Sequence, residues 1–303
     1  MIAIVIPYYK IQFFAKTLES LKQQENNNFQ VYIGDDNSPQ DPTSIIEYYR
    51  SYLKIKYHRF DENMGSKSLI KQWERCVSLI DNETWIMILG DDDYLGENVI
   101  NEFYNHISTF LNKTNVVRFS RILVNENCEV LQINKSNPVW ESAYCSCFRR
   151  LAKGNRSSLS EHVFTLESYK KFGFFDYPLG WHSDDRAWLE FSDDKEIYSI
   201  NQAKVYVRFT ELSVSGSLKN TSFKNLATKQ YFRFLLNQIG RFKSKNRNTV
   251  IRICEREFSK NKDLYFENLG LVIWSSIKIM NLNEFKNLMV KVFRTIYKNQ
   301  LNA

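Results

Sequence analysis

Cysteine is scarce in this 303-residue chain, and the five present do not pair by spacing. Cys76, Cys128 and Cys254 stand alone, and Cys145-x-Cys147 has no second pair at zinc-site distance. Nothing here builds a disulfide framework or a zinc ribbon; scattered reduced thiols in a cytoplasmic protein are the expectation. Long apolar runs are missing too, since none approaches the ~18–20 residues a bilayer-spanning helix needs. The nearest, residues 269–280, is broken by Ser275, Ser276 and Lys278 and reads as a core or interfacial helix. The opening "MIAIVIPYYK" has no basic flank ahead of its apolar stretch, so no signal peptide is expected. Internal repeats and Pro/Gly/Ser-rich linkers are absent as well, which predicts packed elements throughout.

What is present is ordinary in bulk: 43% hydrophobic and 25% charged residues suit a soluble globular protein with one large domain or two. The net charge of +7 conceals a division. Residues 217–303 hold 17 Lys and Arg against 5 Asp and Glu, +12 in all, leaving −5 for residues 1–216. A basic tail on an acidic body points either to an anionic partner or to a solvated helical surface.

The order of elements says more. "AIVIPYY" is apolar without alternation, as a strand buried on both faces would be. A helical segment follows with Phe14, Leu18 and Leu21 on one face, then strand "QVYIG" ending in Asp35 and Asp36. "DPTSIIEYYRSYL" predicts a helix with Asp41 as its N-cap and Pro42 in its first turn. Strand "KIKYHRF", helix "SLIKQWERCVSLI", strand "WIMIL" and helix "NVINEFYNHISTFL" complete four strand–helix alternations in about 110 residues. That rhythm predicts an α/β fold: a Rossmann-type, mostly parallel sheet with helices on both faces, its ligand beyond the carboxyl ends of the strands. Pro7 and Tyr8, Asp35 and Asp36, and the 91–93 carboxylates all fall at that end. Beyond Thr114 the pattern changes to a hairpin around Asn125–Asn127 and further strand material at 197–209. From about Phe223 the text is helical, including 226–242, 249–258 and 283–298, with a soft boundary near Leu218. The division expected is therefore 1–114, 115–216 and a basic helical region 217–303.

"ILGDDDYLG" sets three carboxylates directly after an apolar strand and Gly90, which lets backbone and ligand approach closely. Adjacent like charges repel, and a divalent cation would make their charged forms favourable. Oxygen-only ligands in an open site suit Mg²⁺ or Mn²⁺; the plainer reading is an Asp-rich turn capping the helix near Glu97. Asp35 and Asp36 in "IGDDNSPQD" offer an acceptor for a ring N–H of a base, or simply a turn.

"IVIPYYK", "IGDDNS", "ENMG" and "LGDDDYL", in that order and spacing, resemble the inverting family 2 glycosyltransferases of bacterial surface-polysaccharide type, which have the GT-A fold. The resemblance continues through "ESYKKFGFF", "GWHSDDRAW" and "VYVRF" and covers about residues 1–215. It implies a GT-A-like domain over 1–216, comprising a nucleotide-binding half 1–114 and an acceptor and catalytic half 115–216. The implied reaction moves a sugar from a nucleotide-diphosphate donor, with uridine the leaning for the base, to a hydroxyl of a saccharide or lipid-linked saccharide. The implied donor contacts are Pro7, Tyr9, Asp35, Asp36, Asn63, Gly65, Lys71, Asp91 and Arg208. Asp92 or Asp93 would hold the metal, and Asp185, with Asp184 beside it, would be the general base. Trp181 and His182 are assigned to the acceptor, with Trp181 stacking on a sugar face.

Three departures stand out. Gly90 occupies the place of the first Asp in the common Asp-x-Asp-Asp, so the literal D-x-D here is Asp91/Asp93. Ile70–Lys71 replaces an Arg-Asn, so either Lys71 supplies the positive charge to the phosphates or that contact is missing, and the base pair is Asp-Asp rather than Glu-Asp. Ser183 or Asp184 also reads as the N-cap of a helix through Trp188 and Phe191, while His58, His106 and His162 lack partners at metal spacing. Two rival functions remain: a metal-dependent nucleotidyltransferase, disfavoured by the absence of Gly from "PYYKIQFF", and a catalytically silent nucleotide- or sugar-binding protein. The basic tail, with "NLMVKVFRTIYK" alternating basic and apolar residues, suits an anionic membrane surface at the cytoplasmic face; nucleic acid is not expected.

Overall fold

The N-terminal third folds as its hydrophobic pattern requires. In the computed structural model, which describes residues 1–210, 220–260, 262–278, 286–287 and 289–290, β1 (Ile2–Tyr8) is followed by α1 (Phe14–Lys22), β2 (Phe29–Asp35) and α2 (Thr43–Arg50). β3 (Ile55–Arg59), α3 (Leu69–Val77), β4 (Trp85–Ile88), β5 (Tyr94–Leu95) and α4 (Val99–Phe110) come next. β3, β2, β1 and β4 lie side by side and all parallel, with Tyr8 in register with Asp35. Ile2, Ile4, Ile6 and Tyr8 turn one way and pack with Phe14, Leu18 and Leu21 of α1 and Phe103 and Phe110 of α4. Their alternation with the equally buried Ala3 and Val5 is why β1 reads as a continuous apolar run.

β6 (Val116–Val124), β7 (Val130–Ile133), β8 (Trp140–Ser142), β9 (His162–Thr165) and β10 (Glu196–Arg208) complete a ten-stranded sheet. The expected hairpin is present, with Val124 opposite Val130. β9 inserts antiparallel between β4 and β6, while β6 and β10 run parallel. Four residues long and apolar but for its first and last, β9 carries no period that the sequence alone exposes. α6 (Leu166–Phe172) and α7 (Ser183–Phe191) follow it, and Phe164, Phe174, Trp188 and Phe191 cluster there, with Phe174 edge-on to Phe164 and Phe191, and Trp188 edge-on to Phe191.

Two helix starts differ from expectation. The N-cap of α2 is Pro42, one residue later than predicted, and Asp41 still serves it by accepting the Thr43 N–H at 3.0 Å. α7 is capped by neither Ser183 nor Asp184, which lie in its first turn; the capping position is His182, in a left-handed conformation.

The chain divides into two compact units, residues 1–143 with 155–227, and residues 144–154 with 228–303. The second is helical where described: α5 (Ala143–Lys153), the later part of α8 (Thr221–Asn237), α9 (Ser244–Phe258) and α10 (Lys262–Lys278). Leu235, Ile239, Phe242, Val250, Cys254, Phe258 and Val272 are buried there, and Phe242 meets Tyr144 edge-on at 5.0 Å. Residues 269–278 form the C-terminal part of α10, and no described helix is long and apolar enough to cross a membrane. The boundary near Leu218 and most of "NLMVKVFRTIYK" lie outside the described residues.

Candidate active site

Asp35 and Asp36 leave β2 at its carboxyl end and diverge in role. Asp35 is wholly buried; its Oδ1 accepts the Ser38 N–H at 2.7 Å, and its Oδ2 accepts the Tyr57 hydroxyl at 2.7 Å and the Arg59 guanidinium at 3.0 Å. Both oxygens of the residue expected to read the base are thus engaged by the protein's own chain, where they fix the turn and the end of β3. Asp36 accepts the backbone N–H groups of Met64 at 2.7 Å and Gly65 at 2.9 Å, together with the Arg75 guanidinium. Burial outweighs these donors and raises the Asp36 carboxyl above the ordinary range. A Cβ on Gly65 would lie 2.5 Å from Asp36 Oδ2, so the "N-x-G" turn needs glycine to wrap this carboxylate. Asn63 closes the same turn by accepting the Ser66 N–H.

The three carboxylates after Gly90 also separate. None caps a helix, since α4 begins at Val99 behind Asn98. Asp91 Oδ2 accepts the N–H groups of Tyr9 at 2.8 Å and Lys10 at 2.7 Å, tying the end of β4 to the residues that follow β1 and Pro7. Tyr9 stays 37% exposed there, with its carbonyl accepting Ser38 Oγ at 2.6 Å, so the ends of β1, β2 and β4 meet at this residue. Asp92 and Asp93 turn instead toward Gly90: a point one Cβ above its backbone lies 3.1 Å from Asp92 Oδ1 and 3.1 Å from Asp93 Oδ2. Asp93 is buried, accepting the Arg208 N–H at 2.8 Å and the Ser160 hydroxyl. Burial, and then repulsion from Asp92, pushes the Asp93 carboxyl up to about 8 and Asp91 up to about 7; burial raises Asp92 as well. Lys10, absent from the sequence-based set, is the cation that favours the ionised forms of Asp91 and Asp92.

Lys71 and Arg208 are placed differently from one another. Lys71 is exposed on α3, where its charge bears on Glu74, one helical turn away. Arg208 is buried at the end of β10, its guanidinium donating to the carbonyls of Asp92, Asn125 and Glu126 and lying 4.1 Å from the Phe13 ring centroid. It anchors the hairpin loop over the acid cluster, and its charge acts on Asp92 from there.

The second acid set arrives through α7. Asp185, in the first turn, has its Oδ2 2.7 Å from His182 Nδ1, and an ionised carboxylate can only accept in that bond. Trp181 meets the His182 ring edge-on at 5.5 Å, with the Lys224 ammonium 4.9 Å from the indole centroid. Asp184 is half-buried beside them.

A short segment that sequence reading assigned nothing, residues 158–162, links the two sets. Ser160 Oγ accepts the Gly90 N–H at 3.1 Å and donates to Asp93, so it holds both sides of the acid turn. Two residues on, His162 is buried, stacked 4.0 Å from Trp188 of α7, and close enough to Asp185 to feel its charge. Burial and then the Arg118 charge depress His162 to about 3, so this ring is neutral. The one signal available was position: Ser160 lies just ahead of "HVFT", a segment long enough for a strand, and His162 opens it.

Among the described residues no three His, Cys, Asp or Glu side chains surround one point; above Gly90 two carboxylates, Asp92 and Asp93, come together. Mg²⁺ commonly completes such a set with water and substrate phosphates.

Among curated proteins no significant sequence match is found. Solved structures do match. S. aureus TarS 1–349 in complex with UDP-GlcNAc aligns with TM-score 0.67 and 14% identity, over 97% of this chain and 92% of that one. The same fragment with UDP gives 0.64 and 13%, over 97% and 91%, and a further TarS structure gives 0.60 and 13%, over 93% of this chain and 50% of that one. At such identities the likeness establishes the fold, which is the α/β architecture expected from the element order and the GT-A-like form implied by the resemblance. The family model described as Glycosyl transferase family 2 matches residues 3–153, the stretch that contains β1 to α4 and the acid turn. By sequence, then, residues 3–153 of this chain match glycosyl transferase family 2, and the TarS structures share its fold.

Proposed function

We propose that this protein moves a sugar from a nucleoside-diphosphate donor, a UDP-sugar first among them, to a hydroxyl of a saccharide or lipid-linked saccharide, with inversion, in surface-polysaccharide synthesis. The observation that carries this reading is that residues 158–162 touch both acid-bearing elements, Asp93 through its bond to Ser160 and α7, which carries Asp185, through the stacking of Trp188 on His162. Complexes of S. aureus TarS with UDP-GlcNAc and UDP support a uridine donor.

In this reading Asp185 accepts the proton of the acceptor hydroxyl as the new C–O bond forms, with Asp184 as its neighbour. Attack from the side opposite the departing diphosphate is a single displacement and inverts the anomeric carbon. The donor set fits a hard dication: two carboxylate oxygens converge above Gly90, and both carboxyls are raised by burial without one. Asp92 and Asp93 would hold Mg²⁺ or Mn²⁺, which when bound supplies Lewis-acid neutralisation of a leaving diphosphate. Lys10 adds positive charge beside them, a role for which the exposed Lys71 is less well situated.

Incubation with a panel of nucleotide sugars, with Mn²⁺ or after chelation, tests the reading. Metal-dependent release of UDP from one donor is expected. Pyrophosphate exchange with sugar phosphates would indicate a nucleotidyltransferase instead, and binding without turnover of any donor, with or without acceptors, a silent binder.

A peripheral position at the cytoplasmic face of the membrane is part of the proposal. Trp274 and Ile277 on α10 are 62% and 47% exposed, and Lys278 lies one turn beyond Trp274, against Gly240. Arg241, Lys243 and Lys245 are exposed next to it in sequence. An apolar pair beside a basic cluster suits an anionic bilayer, where each Lys or Arg near the surface contributes about 1 kcal/mol. The chain is expected to float with phosphatidylglycerol vesicles and not with phosphatidylcholine, and Trp274→Ser with Ile277→Ser to stay behind; equal flotation of variant and parent would remove this face.

A further inference from the structure

The segment ahead of α7 has an unusual backbone. Leu179, Gly180 and His182 have φ of 62°, 64° and 71°, so three of four consecutive residues are left-handed. Outside glycine that conformation is uncommon, and histidine is among the residues found in it more often than most. At residue 182 the imidazole faces Asp185, three positions on, with Nδ1 2.7 Å from Oδ2. Both side chains are largely withdrawn from water, 13% and 9% exposed, so the bond is not a surface pair loosened by solvent. Since the carboxylate accepts, the ring carries its proton on Nδ1.

From this geometry we infer that His182 is a positioning residue for the base: it fixes one oxygen of Asp185 so that the other is turned to the acceptor hydroxyl, and it favours the ionised carboxylate. The inference rests on the reading of Asp185 as the base and replaces the acceptor contact expected of His182. A carboxylate free to rotate would meet the incoming hydroxyl in only some of its rotamers, and a proton transfer needs the heavy atoms within hydrogen-bond reach. Other charged groups lie on α7 and on the elements around it. On β9, His162 is a neutral ring stacked on Trp188, with Arg118 of β6 behind it. On α7 itself Arg186 is committed to Glu190, at 2.9 and 3.1 Å, and to the Phe175 face. Asp184 is a like charge next to Asp185, and Lys224 on α8 stands over Trp181.

The test compares His182→Ala and His182→Asn in the full chain, using the donor found by the nucleotide-sugar panel and an accepted saccharide. His182→Ala is expected to lower kcat about 10- to 100-fold, within the range for general-base effects, with donor KM unchanged within twofold. Its acidic limb moves to higher pH, because a carboxylate deprived of a donor hydrogen bond ionises less readily. His182→Asn keeps an N–H donor and tolerates the left-handed backbone, so it recovers part of kcat. Wild-type kcat and an unmoved pH profile in His182→Ala would overturn the inference. So would equal loss in both variants together with a lowered unfolding temperature, the mark of a purely structural role. Asp185→Asn in the same assay keeps the two claims apart: if it retains turnover, the base assignment itself fails, whereas if it is inactive beside a normal His182→Ala, only the role of His182 does.

Discussion

Asp185→Asn is expected to remove transfer while leaving the donor bound, with turnover down about 10³-fold, inside the 10²–10⁴ range for loss of a general base. The substitution is close to isosteric, and the amide oxygen can still accept from His182 Nδ1, so α7 and its start should keep their geometry. What is lost is the capacity to take a proton. An acceptor alcohol must shed its proton as it attacks, and the adjacent carboxyl in the chain is that of Asp184. Donor affinity should stay within twofold, because the groups assigned to the nucleotide lie on β1, β2, β4, α3, the end of β10 and the loops between β1 and α3, whereas Asp185 belongs to α7. The decisive measurement pairs single-turnover transfer with calorimetric titration of UDP. A variant that transfers at near parental rate would remove Asp185 from the base role, and Asp184→Asn would then be the variant to make. A variant that loses both transfer and UDP affinity would argue that α7 supports the donor site, which is a different function for the same residue.

How much of this was legible beforehand follows from how local each feature is. The four strand–helix alternations were readable because β1 and β4 are short apolar runs, β2 is rich in Phe, Val, Tyr and Ile, and α1 repeats its apolar residues at helical spacing. The 124–130 hairpin was readable from its Asn-rich turn. β9 was not, since its neighbours are β4 and β6, and β4 lies nearly 80 residues earlier in the chain. The same distance hid the division of labour among the aspartates. That Asp91 ties down Tyr9 and Lys10, 81 or 82 positions away, follows from the adjacency of β1 and β4, not from the triplet's own sequence. Asp35 looked available for a base because Tyr57 and Arg59 belong to another strand. The His182–Asp185 bond is the exception. It spans three residues at a helix start, a spacing at which side chains meet, and it was missed because the sequence gives no hint of a left-handed residue 182.

Replacing Asp92 and Asp93 together by Ala is expected to abolish metal-dependent nucleotide binding and, in the metal-free protein, to raise stability at alkaline pH. Both results follow from one fact, that the fold brings two carboxylates together over Gly90 where water is largely excluded. The sign for stability is set by the proton. The Asp93 carboxyl is raised from the ordinary value of 3.8 to about 8 in the folded chain. Between those values the folded state holds a proton that the unfolded state has released, so stability falls as pH climbs through that window. Above it, the folded state carries a buried charge beside a second one. The unfolding temperature of the metal-free parent should therefore decline from about pH 5 to pH 9, in part because of this pair, and Mn²⁺ should restore it most at the upper end. The double Ala variant should show a shallower decline and no response to Mn²⁺. Paired measurements of unfolding temperature and UDP titration, with metal and with chelator, read both effects on the same samples. A variant whose UDP binding still responds to Mn²⁺ would place the cation elsewhere. One that binds no metal yet loses stability at every pH would mean that these carboxylates are supports of the turn, held by Ser160 and the Arg208 backbone, before they are ligands.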